Sequence, residues 1–186
     1  EISRSFLNEA QEKFKKYDWV NFALFDINEE YWKQNISASS WDIILCNNVL
    51  HNANDESKVL KQFYEMAVPN GIIIILDATG TNYTLLTSME FHNGLNGVED
   101  FRSENEQVFL NTVQWKEQFK KSEIELLSQF PQMGNELEIL GQTLFVGRFN
   151  SKRKQVNEEK IKGYLIEKLP DYMVPSYLQI LKEYPL

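Results

Sequence analysis

Ile72-Ile73-Ile74-Ile75-Leu76 is the most hydrophobic run in the sequence, preceded by Pro69-Asn70-Gly71 and closed by Asp77. A run this apolar makes a poor edge strand and a good central one. Upstream of it, Val59, Leu60, Phe63, Tyr64 and Ala67 recur at helical spacing, with Asn54 or Asp55 as cap and Pro69-Asn70-Gly71 as stop. Further back, Trp41-Asp42-Ile43-Ile44-Leu45-Cys46 is nearly continuous in apolar residues and reads as a second strand covered on both faces. Strand, helix, strand at this spacing is a parallel unit whose crossover is right-handed.

The same pattern extends outward. Phe6, Leu7, Ala10 and Phe14 predict an amphipathic helix over residues 4–16, and Val20-Asn21-Phe22-Ala23-Leu24-Phe25 has the composition of a strand ending at Asp26. Residues 84–91 read as a short helix, and residues 94–105 as a polar excursion over the sheet's edge. Val113, Trp115 and Phe119 suit a further helix leading to Ile124-Glu125-Leu126-Leu127. A final strand is expected at Leu144-Phe145-Val146, with Gly141 and Gly147 marking turns or bulges. The fold class is therefore α/β, a Rossmann-like doubly wound sheet.

Composition shifts after residue 150. Ser151-Lys152-Arg153-Lys154-Gln155 reads as a basic linker, residues 156–168 as a helix, Leu169-Pro170-Asp171-Tyr172-Met173-Val174-Pro175 as an extended segment, and residues 177–181 as a strand. Two domains follow, 1–150 and 151–186. The chain opens on Glu1-Ile2-Ser3 and is expected to be cut from something longer at both ends.

The formal net charge of -8 argues against a nucleic-acid partner, which needs a basic face to release counterions. Lys152, Arg153 and Lys154 suit a solvated linker. A single cysteine, Cys46, cannot form an internal disulfide, and no apolar run is long enough to span a bilayer. A cytoplasmic setting without membrane partners is expected, and the sequons at Asn35 and Asn82 are read as chance.

In open α/β sheets ligands bind outside the carboxyl ends of the strands. The candidate strand ends here carry Asp26, Asn47 with Asn48, and Asp77, together with Glu1 if it closes a preceding strand. Any one of them could simply terminate a strand, because Asp and Asn favour turns. Four in succession place donors and acceptors along one rim. His51 follows shortly after Asn47, and a histidine can take a proton near neutral pH if a carboxylate fixes its tautomer. Asp77, at the end of the neighbouring strand, could supply that carboxylate. The alternative is a helix-entry histidine bonded to a backbone carbonyl. Glu90 and His92 form a second acid and imidazole pair, suited to shaping a lid.

Glu1-Ile2-Ser3 before a helix, Asp26-Ile27, Trp41-Asp42-Ile43-Ile44 leading into Asn47-Asn48-Val49-Leu50-His51, and Pro69-Asn70-Gly71 before a hydrophobic strand together resemble part of a class I S-adenosylmethionine-dependent methyltransferase. The likeness covers about residues 1–150 and is greatest to methyltransferase domains built into polyketide and nonribosomal peptide synthetases. It implies that Glu1 holds the ribose hydroxyls of S-adenosyl-L-methionine, that Asp26 accepts from the adenine amino group with Ile27 on the ring face, and that Asn47 lies near the methionine part. Carbon-methylating domains carry a histidine in an Asn-Val-Leu-His stretch and a glutamate at the end of the next strand. Here the second position is the shorter Asp77, so the resemblance makes His51 and Asp77 the catalytic candidates. The family's glycine-rich turn falls before residue 1, so the domain is expected to be N-terminally truncated and, as a fragment alone, inactive and poorly soluble.

Leu169-Pro170-Asp171-Tyr172-Met173-Val174-Pro175 with Leu181 and Tyr184-Pro185-Leu186 resembles the C-terminal subdomain of adenylation domains, which implies a partial α+β remnant. The order resembles synthetases whose adenylation domain carries an inserted tailoring domain, the thiazoline-forming siderophore assembly lines among them. The partners implied are neighbouring synthetase domains and a substrate tethered through phosphopantetheine to a carrier protein. Three functions remain open on this reading: methyl transfer to an aminoacyl or peptidyl intermediate, epimerisation at its α-carbon by the same base, and a non-catalytic scaffold insert.

Overall fold

A computed structural model describes residues 1–80, 87, 97–105, 107–150 and 158–178. The chain divides into two compact units, Glu1–Ser151 and Lys152–Leu186.

In the first unit the described helices are α1 (Arg4–Phe14), α2 (Glu56–Met66), the short α3 (Phe101–Glu104) and α4 (Thr112–Lys121). The described strands are β1 (Trp41–Asn47), β2 (Ala67–Ala78), β3 (Ile124–Phe130) and β4 (Gln142–Phe149). They form a sheet in the order β1-β2-β4-β3. β1 runs parallel to β2, and β4 is antiparallel to both β2 and β3. The sheet is thus mixed rather than wholly parallel. β2 is central, as its isoleucine run requires: Ile73 and Ile75 are fully buried, with β1 on one side and β4 on the other.

Helix starts follow from capping. Asp55 accepts the Lys58 N–H at 3.0 Å and opens α2, while Asn111 and Gln114 form a reciprocal capping box at α4. α2 then sets Val59, Leu60 and Phe63 into the core, and α4 adds Trp115 and Phe119. Trp115, Phe119 and Phe145 make a three-way aromatic cluster with ring centroids 5.7 to 5.9 Å apart. These side chains, with Ile73, Ile75 and Phe149, occupy one core.

Several expectations change. β1 is an edge strand paired only with β2 among the described strands, and it is covered on one face rather than both. Cys46 points inward and is buried, whereas Trp41, Ile43 and Leu45 are 44%, 59% and 68% exposed. Residues 20–25 form no strand, because a strand needs a hydrogen-bonded neighbour. Their backbone is tied by the bond from Phe25 N–H to the Glu1 carbonyl at 3.0 Å. Pro69-Asn70-Gly71 lies inside β2, where the pairing with β1 shifts register between Trp41 and Ile43. Residues 94–96 lie outside the described set, and residues 101–104 of the expected excursion are helical. The helix expected at 84–91 and the pair Glu90 and His92 also lie outside the described residues, Thr87 excepted.

In the second unit α5 spans Glu158–Lys168. The segment expected to be extended contains a 3-10 turn at Asp171–Met173, closed by Met173 N–H on the Pro170 carbonyl at 2.8 Å. Proline's fixed φ, here -57°, suits it to start such a turn. Tyr177 and Leu178 are not in a strand, and residues 151–157 and 179–186 lie outside the described set. Among the described residues no helix is long and apolar enough to cross a membrane.

Gly147 on β4 faces its neighbours so closely that a Cβ there would stand 2.6 Å from Ile124 Cγ2 and 3.1 Å from Ile73 Cγ2. Both contacts are stiff β-branched side chains on flanking strands. Gly147→Ala is expected to destabilise the domain by about 1–3 kcal/mol through overpacking, read as a lower urea midpoint at unchanged slope.

Candidate active site

The carboxyl end of β2 carries Asp77, which is 1% exposed. Its Oδ2 accepts the backbone N–H groups of Leu50 at 2.9 Å and His51 at 3.2 Å. Its Oδ1 accepts the Ala78 N–H at 2.8 Å and lies 2.7 Å from His51 Nδ1. Because the carboxylate is the acceptor, Nδ1 carries the proton of that bond and Nε2 is the nitrogen able to take another.

The chain reaches this geometry through a turn at the end of β1. Asn48 adopts φ +50°, a left-handed conformation that asparagine tolerates, and its N–H bonds the Leu76 carbonyl at 2.7 Å. A 3-10 turn at Leu50–Asn52 follows, presenting two successive N–H groups to Asp77. An aspartate, one methylene shorter than glutamate, spans the gap because backbone and ring approach it together. His51 is 5% exposed, and the edge of Phe109 meets its ring at a centroid distance of 5.6 Å.

The segments of Glu1 and Asp26 are joined by the backbone bond from Phe25 N–H to the Glu1 carbonyl. Glu1 Oε1 accepts the Ser3 N–H at 2.7 Å, and Asp26 Oδ1 accepts the Asn28 N–H at 2.9 Å. The Asp26 backbone is gripped at both ends by Gln34, whose Oε1 accepts Asp26 N–H at 2.7 Å and whose Nε2 donates to Asp26 O at 2.8 Å. Ile27 packs, partly buried, against the core. Asn47 is exposed and its side chain accepts from Asn48 Nδ2 at 3.1 Å, with no bond to His51. Burial, aided by the Asp77 charge, pushes the Cys46 thiol up to about 12, which disfavours its thiolate. Among the described residues no cluster of His, Cys, Asp and Glu is arranged to hold a metal. A surface hollow lined by Asn70, Lys120, Glu123 and Arg148 lies at the opposite end of β2 and β4 from Asp77.

Sequence reasoning missed Arg102. It is fully buried and donates to Asp100 through Nε at 2.8 Å, to Glu56 through Nη1 at 3.0 Å and to the Ala53 carbonyl through Nη2 at 2.6 Å. Glu56 Oε2 has no hydrogen-bond partner among the described residues. Burial would raise the Asp100 carboxyl, but the hydrogen bonds from Arg102 outweigh it and hold it below the usual range. At Glu56 burial dominates the pull of Arg102 and pushes the carboxyl up to about 8. The available signal was a lone arginine among polar residues, with its partners at Glu56 and Ala53 far away in sequence.

A sheet in which an antiparallel strand sits between a parallel pair and a further strand, with an acidic and amide rim at the strand ends, has the class I methyltransferase fold. The comparisons place the chain within it. Residues 1–73 match the family model Methyltransf_12, described as a methyltransferase domain. Pyochelin synthetase PchF of Pseudomonas aeruginosa is 26% identical over all 186 residues, which are 10% of that protein's length. The CurJ carbon methyltransferase structure superposes with TM-score 0.72 at 24% identity, covering 81% of this chain and 40% of that one. The trans-methyltransferase CalH, solved in complex with SAH, gives TM-score 0.66 at 18% identity over 80% of this chain and 41% of its own. The match to a methyltransferase domain covers residues 1–73, the fold is the one the resemblance in the sequence implied, and the chain spans a tenth of the length of the synthetase it matches.

A carboxyl whose folded value lies above its ordinary 4.5 binds its proton more tightly in the native state. The contribution of Glu56 to stability is therefore complete below 4.5 and is lost as pH rises towards 8. Denaturation between about pH 5 and about pH 8 should show stability falling with pH, and Glu56→Gln should flatten that slope.

Proposed function

We propose that this domain transfers a methyl group from S-adenosyl-L-methionine to an aminoacyl or peptidyl intermediate held on a carrier protein, as a tailoring domain of a nonribosomal peptide synthetase. The observation that carries the reading is the buried 2.7 Å contact between His51 Nδ1 and Asp77 Oδ1. It leaves Nε2 to act as base.

The rim residues fit the adenosine half of the cofactor. The Phe25 N–H bond to the Glu1 carbonyl brings the two main-chain segments together, and each carboxylate keeps acceptor capacity beyond the one backbone N–H it holds. Glu1 would accept from the ribose hydroxyls and Asp26 from the adenine amino group, with Ile27 beside the ring and Asn47 towards the methionine part. When bound, the cofactor supplies a methyl carbon made electrophilic by its sulfonium. His51 Nε2 takes the proton from the acceptor atom, whose electron pair forms the new bond to the methyl carbon as the carbon–sulfur bond breaks. The leaving group would be S-adenosylhomocysteine, and His51 would keep the proton. Asp77 holds the ring orientation and stabilises the imidazolium that forms. Phe109 shields the ring from water.

The second unit is read as part of the C-terminal subdomain of an adenylation domain. The alignment to the synthetase runs through residue 151 to the end of the chain, which supports a shared domain order.

The test uses the intact synthetase that contains this chain. S-adenosylhomocysteine should raise the melting temperature, since it binds only the folded state. His51→Ala should lower methyl transfer by about 10²–10⁴-fold, the usual worth of a positioned base, with Asp77→Asn also strongly reduced. Normal turnover by His51→Ala would sink the reading. Deuterium entering the α-carbon with no methyl donor present would identify an epimerase instead.

A further inference from the structure

Residues 50–54 carry His51, and side chains from separate parts of the unit hold their backbone. Asp77 takes the N–H groups of Leu50 and His51, and Arg102 donates to the Ala53 carbonyl. Glu99 N–H also donates to the Asn54 carbonyl at 2.8 Å, and a further side-chain clamp is Asn28. Its Nδ2 donates to the Asn52 carbonyl at 3.1 Å, and its Oδ1 accepts the Asn54 N–H at 2.7 Å. The two ends of the amide are distinguished by their partners, since a carbonyl needs a donor and an N–H an acceptor. The backbone N–H of the same residue donates to Asp26 Oδ1 at 2.9 Å.

Asn28 thus grips the rim carboxylate with its main chain and the histidine segment with its side chain. We infer that Asn28 is a positioning residue that couples the cofactor side of the rim to the base. The inference rests on the roles proposed above for Asp26 and His51. The physical content is geometric. The 3-10 turn ends at Asn52 and no strand follows, so beyond the bonds of Ala53 N–H to Leu50 O and Glu99 N–H to Asn54 O the placement of residues 52–54 depends on side chains that satisfy their main-chain groups. Truncating Asn28 frees the Asn52 carbonyl and the Asn54 N–H together. It also unties the turn at residues 26–28 from the turn at residues 52–54, so that each can shift without the other. Small misplacements of a reacting group are costly in rate.

In the intact synthetase, Asn28→Ala is compared with the unsubstituted protein by two readouts. One is the Kd for S-adenosylhomocysteine by calorimetry, and the other is single-turnover methyl transfer at saturating donor, normalised to binding-competent sites. Coupling predicts a Kd weakened by about tenfold and a single-turnover rate lowered by about tenfold or more, the range seen when an outer residue that orients a functional group is lost. The KM for the tethered acceptor should be unchanged. A merely structural role would reduce the number of competent sites and leave the rate per site intact. Asn28→Asp keeps an acceptor for Asn54 N–H but sets an oxygen against the Asn52 carbonyl, so it should be at least as slow as Asn28→Ala.

Unchanged Kd and unchanged single-turnover rate in Asn28→Ala would overturn the inference. If His51→Ala turns over normally, the base assignment fails, and coupling is then decided by the Kd, which must still weaken in Asn28→Ala. No binding of S-adenosylhomocysteine by the unsubstituted protein would overturn both.

Discussion

A single buried carboxylate organises the rim of this sheet. Asp77 ends the central strand with almost no solvent contact, and a group of that kind is costly to bury unless its lone pairs are used. The turn after β1 supplies the required donors: two backbone N–H groups, the imidazole Nδ1 and the next residue's N–H. Satisfying Asp77 therefore specifies where the chain goes after Asn47 and which way the ring of His51 faces. The electrostatic requirement of one side chain and the geometry of the candidate base are the same constraint.

A second buried polar group lies near the start of α2. Arg102, Asp100 and Glu56 form a buried cluster that ties residues 100–102 to the start of α2 and to Ala53. One guanidinium serves two carboxylates, and it serves them unequally. Asp100 receives several hydrogen bonds, while Glu56 is left with an oxygen that has no partner among the described residues. Desolvation then outweighs attraction at Glu56, the outcome expected when a buried pair is incompletely hydrogen-bonded. The apolar core below is conventional by comparison, with aromatic side chains of α4 and β4 meeting the isoleucines of β2.

Much of this was legible in the sequence because it rests on short-range patterns. The isoleucine run of β2, the stripe on α2 and the cap at Asp55 all act within a few residues. His51 and Asp77 could be placed on one rim because consecutive parallel strands end at the same side of a sheet. What could not be read depends on distant partners. Residues 20–25 have strand composition, yet pairing is a property of the neighbour, which here amounts to the Glu1 carbonyl. The run in β1 looks like that of a buried strand, but its position at the sheet edge leaves Trp41, Ile43 and Leu45 open on one face. Arg102 gave no periodic signal, because its burial is decided by Glu56 and Ala53, far away along the chain. Asn28 and Gln34 looked like members of a polar connection, and only their two-ended amide bonds set them apart.

Cys46 lies one residue before the end of β1, packed inward and close enough to Asp77 to feel its charge. Sulfur reacts with alkylating agents as the anion, and this anion is suppressed twice, by the apolar surroundings and by a neighbour of like sign. The strand therefore sets a cysteine beside the buried Asp77 without presenting a thiolate there.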